Sequence, residues 1–407
     1  MTVTRDLDSL AVQHLRTTTA IRERADWLLE RARRGDSRWF EVDDDGLERA
    51  ADEVAAETRR RHPGLDIPYH SRWRHFEAGG VDRKALLDNG LAAQTPTRRA
   101  QALMDLTVVS VLLDAGAGAS WRYREADTGG IFSRSEGLGV ASWHAFTAGV
   151  FSSDPADPLR CDAAGLRALT AARLAEAFQV TPDNPLVGLD GRVALLHRLG
   201  AVLAQRTDVF GHLGRPGGLV DSFGAELAAH DLLSSVLRLM SDIWRAQNMI
   251  GHYPLGDCWH HDAVPGVGSS RGWMPLHKLS QWLTYSLLEP FEWAGRTVHG
   301  LDDLTGLAEY RNGGLFLDTA ALRLRDPDFG TRVWSPADEL VVEWRALTIA
   351  LLDGLAPLVR QRLGINAEQM PLARVLEGGT WWAGRRLAAQ LRDGLPPLTV
   401  NSDGTVF

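Results

Sequence analysis

Four short stretches carry residues whose types and spacing could do chemistry. Residues 304–318, LTGLAEYRNGGLFLD, set a carboxylate, a phenol, a guanidinium and an amide in succession at Glu309, Tyr310, Arg311 and Asn312. Residues 251–266, GHYPLGDCWHHDAVPG, gather His252, Asp257, Cys258, His260, His261 and Asp262. Thiol, imidazole and carboxylate donors suit zinc, but neither H-E-x-x-H nor a paired C-x-x-C is met. Adjacent histidines in a Pro/Gly loop are more often surface residues, and no metal is expected. Residues 71–83, SRWRHFEAGGVDR, pack Trp73 and Phe76 among Arg72, Arg74, His75 and Glu77. That mixture is either a stacking surface for a flat ligand or an aromatic anchor pinning a loop to the core.

The fourth stretch is MPLHKLSQWLTYSLLEPFEWAG, residues 274–295. As a helix from Leu276 it lines up Leu276, Leu279, Leu283 and Leu287 on one face. Lys278, Gln281, Trp282, Tyr285 and Glu289 occupy the other. A solvated face would be small and charged, so this one reads as a second surface buried against a ligand or another helix. Pro290 is expected to end the helix. Lys278 stands out for a second reason: among 44 basic residues only Lys84 and Lys278 are lysines. Codon usage accounts for the trend, but an ammonium still acts differently from a guanidinium.

Residues 304–318 divide two ways. Asp302 or Asp303 would cap a helix that Asn312-Gly313 closes. Projection then groups Leu301, Leu304, Leu307 and Ala308 with Arg311, and turns Glu309 away. The ordinary reading has Arg311 satisfied at the helix end and Glu309 in solvent. Spacing alone leaves that reading and a chemical one both open.

The elements that would position these residues are mainly helical. Apolar spacing predicts helices in 18–34, 45–63, 97–114, 163–178, 191–206, 225–247, 275–289, 338–361 and 382–392. RWFEV, RYRE and LTVNSDGTVF read as short strands. Loops rich in Gly, Pro and aromatic residues fall at 66–82, 115–160, 250–274 and 324–337, so helices form the scaffold and loops the working surface. The run VVSVLLDAGAGAS is not a dinucleotide fingerprint, because Trp121 occupies the third glycine position of G-x-G-x-x-G. No P-loop and no G-x-S-x-G elbow occurs.

Composition sets the frame. With 407 residues, 44% apolar and 24% charged, the chain has material for one large helical domain or two intimately packed lobes. A net charge of −8 gives no general attraction to nucleic acid or to anionic membrane. Only Cys161 and Cys258 occur, which fits a reducing cytosol and a cytoplasmic protein. The N-terminus lacks an apolar signal segment, and the apolar runs are too short to span a bilayer.

The motifs together carry a resemblance over almost the whole chain. IPYHSRWRHFEAGGVDR, WRYREADTG, RSEGLGVASW, FSSDPADPLR, PLGDCWHH, HKLSQWLTYSLLEP, LTGLAEYRNGGLFLD, ELVVEWRALT and LEGGTWWAGRR resemble the uncharacterised-domain family linked to the URC pathway of uracil catabolism. The order of blocks is also similar, more distantly, to the queuosine salvage nucleosidases, which cleave the N-glycosidic bond of queuosine 5′-phosphate. HKLSQWLTYSLLE is similar to their K-x-x-Q helix, which places Lys278 and Gln281 on that pattern. LTGLAEYR is similar to their L-T-x-x-A-D-Y-R, whose acid is catalytic and corresponds to Glu309. Here Glu stands where those proteins have Asp, moving the carboxylate outward by a methylene. Residues 365–407 form a C-terminal extension without a counterpart there.

The resemblance implies a mainly α, multi-helix globular fold, DNA-glycosylase-like, with a few short strands. It also implies an N-ribosidic hydrolase of uracil catabolism acting on ribosylurea, its phosphate or a pyrimidine nucleotide, without a cofactor. A carboxylate at Glu309 would stabilise an oxocarbenium-like transition state and orient or deprotonate water. Tyr310, Asp257 and His277 are candidates to protonate the leaving nitrogen. Lys278 with Arg72 would hold a phosphate, and Trp73, Phe76 or Trp282 would stack on the leaving group. The expected partner is thus a small molecule, with no nucleic acid and no membrane. Two other classes fit the same pathway: a metal-dependent amidohydrolase using residues 252–262, and a non-catalytic metabolite-binding protein.

Overall fold

Thr17 opens the first long helix by accepting a hydrogen bond from Ala20 N at 3.1 Å, and Gly35 turns the chain out of it in the left-handed region. Such a cap contributes about 1 kcal/mol. Asp43 caps the helix Asp44–Arg61 and Thr95 the helix Pro96–Leu112 in the same way. The helix Glu339–Leu363 is apolar on nearly every face, with Leu340, Trp344, Leu347, Leu351 and Leu355 all buried. A helix of that kind must sit inside. It does so against Thr18–Arg33 and Asp44–Arg61, while Lys278–Trp293 packs against Pro96–Leu112. In this computed structural model, which describes residues 2–114, 116–118, 120–244 and 248–401, the chain is a mainly α fold.

The strands are short and pair two by two. Phe40–Val42 runs antiparallel to Leu322–Leu324, with Phe40 opposite Leu324. Cys258–His260 pairs antiparallel with Trp273–Pro275, and Val333–Trp334 runs parallel to Thr399–Val400. Strands occur where RWFEV, RYRE and LTV predicted them; residues 402–407 lie outside the described residues. A contiguous set of buried apolar side chains extends from Ile21 to Leu398. Among the described residues, no helix is long and apolar enough to cross a membrane.

Several expected elements differ, each for a local reason. The 163–178 segment splits into Ala163–Ala168 and Ala171–Ala177, because Thr170 caps a second start through Arg173 N. Of 225–247, Glu226–Ala228 is a strand parallel to Thr297–His299 and Ala229–Leu239 is a helix, while residues 245–247 lie outside the described residues. The 115–160 loop contains the helix Arg134–Thr147. Pro290 does not end its helix, which starts at Lys278 and continues to Trp293.

Residues 304–318 differ most. Neither Asp302 nor Asp303 begins the helix, and Asn312-Gly313 does not end it. Glu309 is the cap of a helix Tyr310–Asp318 that runs straight through Gly313 and Gly314. Close packing explains Gly313: a β-carbon there would lie 2.7 Å from the Trp344 ring, whose Nε1 donates to Gly313 O. On the other side Gly384, in the helix Trp381–Arg392, lets that helix cross so closely that a β-carbon would meet Arg311 O at 2.2 Å.

Candidate active site

Glu309 has extended backbone angles, and its carboxylate reaches forward over the first turn of its own helix. Oε2 accepts from Arg311 N at 2.7 Å and Oε1 from Asn312 N at 2.6 Å. Two otherwise orphaned amides thereby fix both oxygens, and the positive end of the helix faces the anion. Each oxygen keeps lone-pair capacity beyond these bonds. Burial pushes the Glu309 carboxyl above its usual range, against the opposing pull of the two amides, Lys278 and Arg311.

The carboxylate borders a cavity of about 580 Å³, which Lys278, Trp282, Leu307 and Tyr310 also line. Lys278 is the first residue of its helix, and two features place it. Its backbone N–H is held by Asp257 Oδ2 at 2.9 Å, and His277 before it adopts a left-handed conformation with φ of 46°. Trp282, one turn along, forms part of the same wall. The two lysines part company here. Lys84 is paired with Asp88, whereas Lys278 has no ion-pair partner among the described residues.

The rest of the lining comes from parts of the chain that are remote in sequence. His70 Nδ1 lies 2.8 Å from Glu377 Oε2, and its ring rests 4.7 Å from that of Trp282. Glu377 belongs to a π-helical turn, Leu376–Thr380, from which the helix continues to Trp381 and Trp382, both cavity residues. Arg61 stacks over Trp382 at 3.4 Å from the ring centroid. Arg385 donates to Glu136 at 2.8 Å and joins this wall to the helix Arg134–Thr147. Burial alone would raise the Glu136 carboxyl, but the bond to Arg385 holds it below its usual range.

His75 completes the enclosure. Arg72 Nη1 lies 3.0 Å from His75 Nδ1 and 3.0 Å from Asp114 Oδ2. A guanidinium only donates, so Nδ1 accepts and the imidazole is neutral with its proton on Nε2. Burial, then the adjacent Arg72, drives this imidazole well below its ordinary value. Asp114 Oδ1 is buried without a protein partner among the described residues.

The structure brings together some expected site residues and separates others. Glu309, Tyr310, Lys278 and Trp282 share the cavity. Asp257 lies outside it, gripped by Arg345 at 2.8 and 2.7 Å and by Trp259 Nε1 at 2.7 Å. His277 is buried with Nε2 at 2.9 Å from Leu15 O, and a void of about 10 Å³ adjoins it and Asp257. Gln281 donates to Thr305 at 2.9 Å inside the core. Trp73 and Phe76 pack edge to face and are 1% exposed, which makes them core anchors. Arg72 is enclosed behind Asp114 and His75, and Arg311 donates to Gly394 O. The donors of 252–262 diverge: His261 meets Glu343 and His260 faces Asp262. No group of three or more metal-type donors converges among the described residues.

Sequence reasoning passed over Arg61, His62, His70, Glu136, Glu377, Trp381 and Trp382. Their one local signal is EGGTWW, where a carboxylate and two indoles flank glycines that let helices approach.

Comparison with known proteins matches the sequence to an existing group. Residues 14–407 fit the model of a family described as "Protein of unknown function (DUF1688)". The chain is 38% identical over 405 residues to "Protein urg3" of Schizosaccharomyces pombe, covering 95% of this chain and 96% of that protein. It is also 38% identical over 377 residues to "Uracil catabolism protein 4" of Lachancea kluyveri, covering 84% of this chain and 85% of that one. From the family match across almost the whole chain, and from relatives at this identity, the protein belongs to the DUF1688 family.

Proposed function

We propose that this protein acts in uracil catabolism as a hydrolase of an N-ribosidic bond, with ribosylurea, its phosphate or a pyrimidine nucleotide as substrate. The relative named for uracil catabolism supports the pathway. The observation that carries the chemistry is the Glu309 carboxylate, pinned by two backbone amides in a cavity of about 580 Å³ beside Lys278, which has no ion-pair partner among the described residues.

Cleaving a ribosyl C1′–N bond builds positive charge on the sugar. A carboxylate already fixed in place stabilises that charge without reorganising, so it favours the transition state over the ground state. A carboxyl pushed upward by burial is also the better base toward an attacking water. Lys278 offers a point charge for a ribose phosphate. Trp282, Trp381 and Trp382 supply the flat apolar surface that was expected of Trp73 and Phe76.

The test is release of reducing sugar from uridine, uridine monophosphate, ribosylurea and ribosylurea phosphate. Glu309→Gln is expected to lose at least roughly a hundredfold in turnover on whichever is cleaved. Wild-type turnover in that variant would remove Glu309 from the mechanism. Binding without turnover of any N-riboside would replace the hydrolase with a metabolite-binding protein.

A further inference from the structure

Three histidines besides Glu309 line the cavity, and their neighbours sort them. Burial, and then the Arg72 guanidinium that His75 faces, suppress its charged form. His62 is pushed downward by burial. Of the three, His70 is the one hydrogen-bonded to a carboxylate among the described residues, with Nδ1 at 2.8 Å from Glu377 Oε2. Glu377 is itself fixed, since its other oxygen accepts from Trp382 Nε1 at 3.5 Å. His70 is fixed too, its backbone N–H donating to Ala373 O at 2.9 Å. With Nδ1 committed to Glu377, Nε2 has no protein partner among the described residues.

We propose that His70, oriented by Glu377 from the C-terminal extension, is the general acid that protonates the departing nitrogen. This rests on the hydrolase reading of the same cavity. With Glu377 holding Nδ1, Nε2 is the ring nitrogen left to pass a proton to a bound substrate. The two other donors expected from sequence, Asp257 and His277, lie outside the cavity, and burial raises the Tyr310 phenol. Placement also fits. His70 and Glu309 line the same cavity, His70 against Trp282 and Glu309 beside Lys278, one turn earlier on the same helix.

The step balances. Water oxygen bonds to C1′ as the C1′–N bond breaks, and the bond's electron pair goes to nitrogen. His70 Nε2–H supplies the proton that nitrogen takes, and Glu309 accepts one from the water. Solvent then returns the proton from Glu309 to His70, leaving ribose and a neutral ureide or base.

Leaving-group dependence tests this assignment. The substrates are ribosylurea and p-nitrophenyl β-D-riboside, whose phenolate departs without protonation. His70→Ala is expected to lose at least roughly a hundredfold on ribosylurea, but less than about tenfold on the nitrophenyl riboside. Glu377→Gln should show the same selectivity to a smaller degree, and added imidazole should restore His70→Ala on ribosylurea alone. An equal loss on both substrates, or no loss, overturns the acid assignment while leaving the hydrolase standing. Failure of the wild type to cleave any N-riboside overturns both.

Discussion

Asp257 and Glu309 are both carboxylates that hold backbone amides at helix starts, yet they occupy opposite situations. Asp257 takes the Lys278 N–H and is then saturated by a bidentate Arg345 and an indole, deep in the core. Glu309 takes two N–H groups and meets no guanidinium fork; beyond those bonds it faces open space and Lys278. A carboxylate with every acceptor direction filled holds the fold together. One that is anchored yet partly free is equipped to meet a substrate. The two are coupled through Lys278, whose backbone Asp257 positions and whose charge acts on Glu309.

The contrast can be broken by substitution. Asp257→Ala removes the carboxylate from a buried, hydrogen-bonded ion pair with Arg345 and should cost about 3–5 kcal/mol of unfolding free energy in urea titration. Glu309→Ala loses only a cap and should cost about 0.5–2 kcal/mol. Comparable values for the pair would dissolve the distinction. The order reverses for activity, where Glu309→Gln is expected to lose about 2.7 kcal/mol of transition-state stabilisation, the hundredfold above, with folding retained.

Gly384→Ala comes next. Its methyl group would press on Arg311 O, so the helices Tyr310–Asp318 and Trp381–Arg392 must separate, at about 1–3 kcal/mol. Since one carries Glu309 at its start and the other carries Trp382, the variant should weaken substrate binding as well; unchanged KM would show that the walls move independently.

The smallest effect sharpens the electrostatics. A Glu309 carboxyl raised by burial must ionise to act, so kcat/KM should fall on acidification through a midpoint above the ordinary carboxylate range. Lys278 pulls that midpoint down. Lys278→Met should therefore shift the acid limb to higher pH, whereas an unmoved limb would separate Lys278 from Glu309.

Much of the scaffold was legible from local signals. Thr17, Asp43 and Thr95 announce helix starts, and the apolar run of 338–361 announces a buried helix. Glu309 was reached through the LTGLAEYR motif, although its segment was read as a helix end. The error is physical: Asn-Gly-Gly resembles a C-terminal signal, while here Gly313 makes room for Trp344, 31 residues away. Trp73 stayed divided between stacking surface and core anchor, and Arg72 was misplaced, because an amphipathic loop does not disclose which side faces the core. The His70–Glu377 pair spans 307 residues, and no window of sequence contains both partners.

The π turn at Leu376–Thr380 bears on which changes the chain tolerates. In a regular α-helix a residue five positions on is rotated about 140° away. Glu377 and Trp382 are five apart and in contact, because the wider turn absorbs the difference. Removing one residue between them would turn the wide turn into a regular one and make the pair i, i+4, so the helix beyond it keeps its phase. Adding one residue would instead swing everything beyond it by about 100°, and Trp382, Gly384 and Arg385 would then miss Arg61, Arg311 and Glu136 together. This segment thus tolerates shortening by one residue better than lengthening, and a single in-frame codon insertion there should be worse than a single deletion.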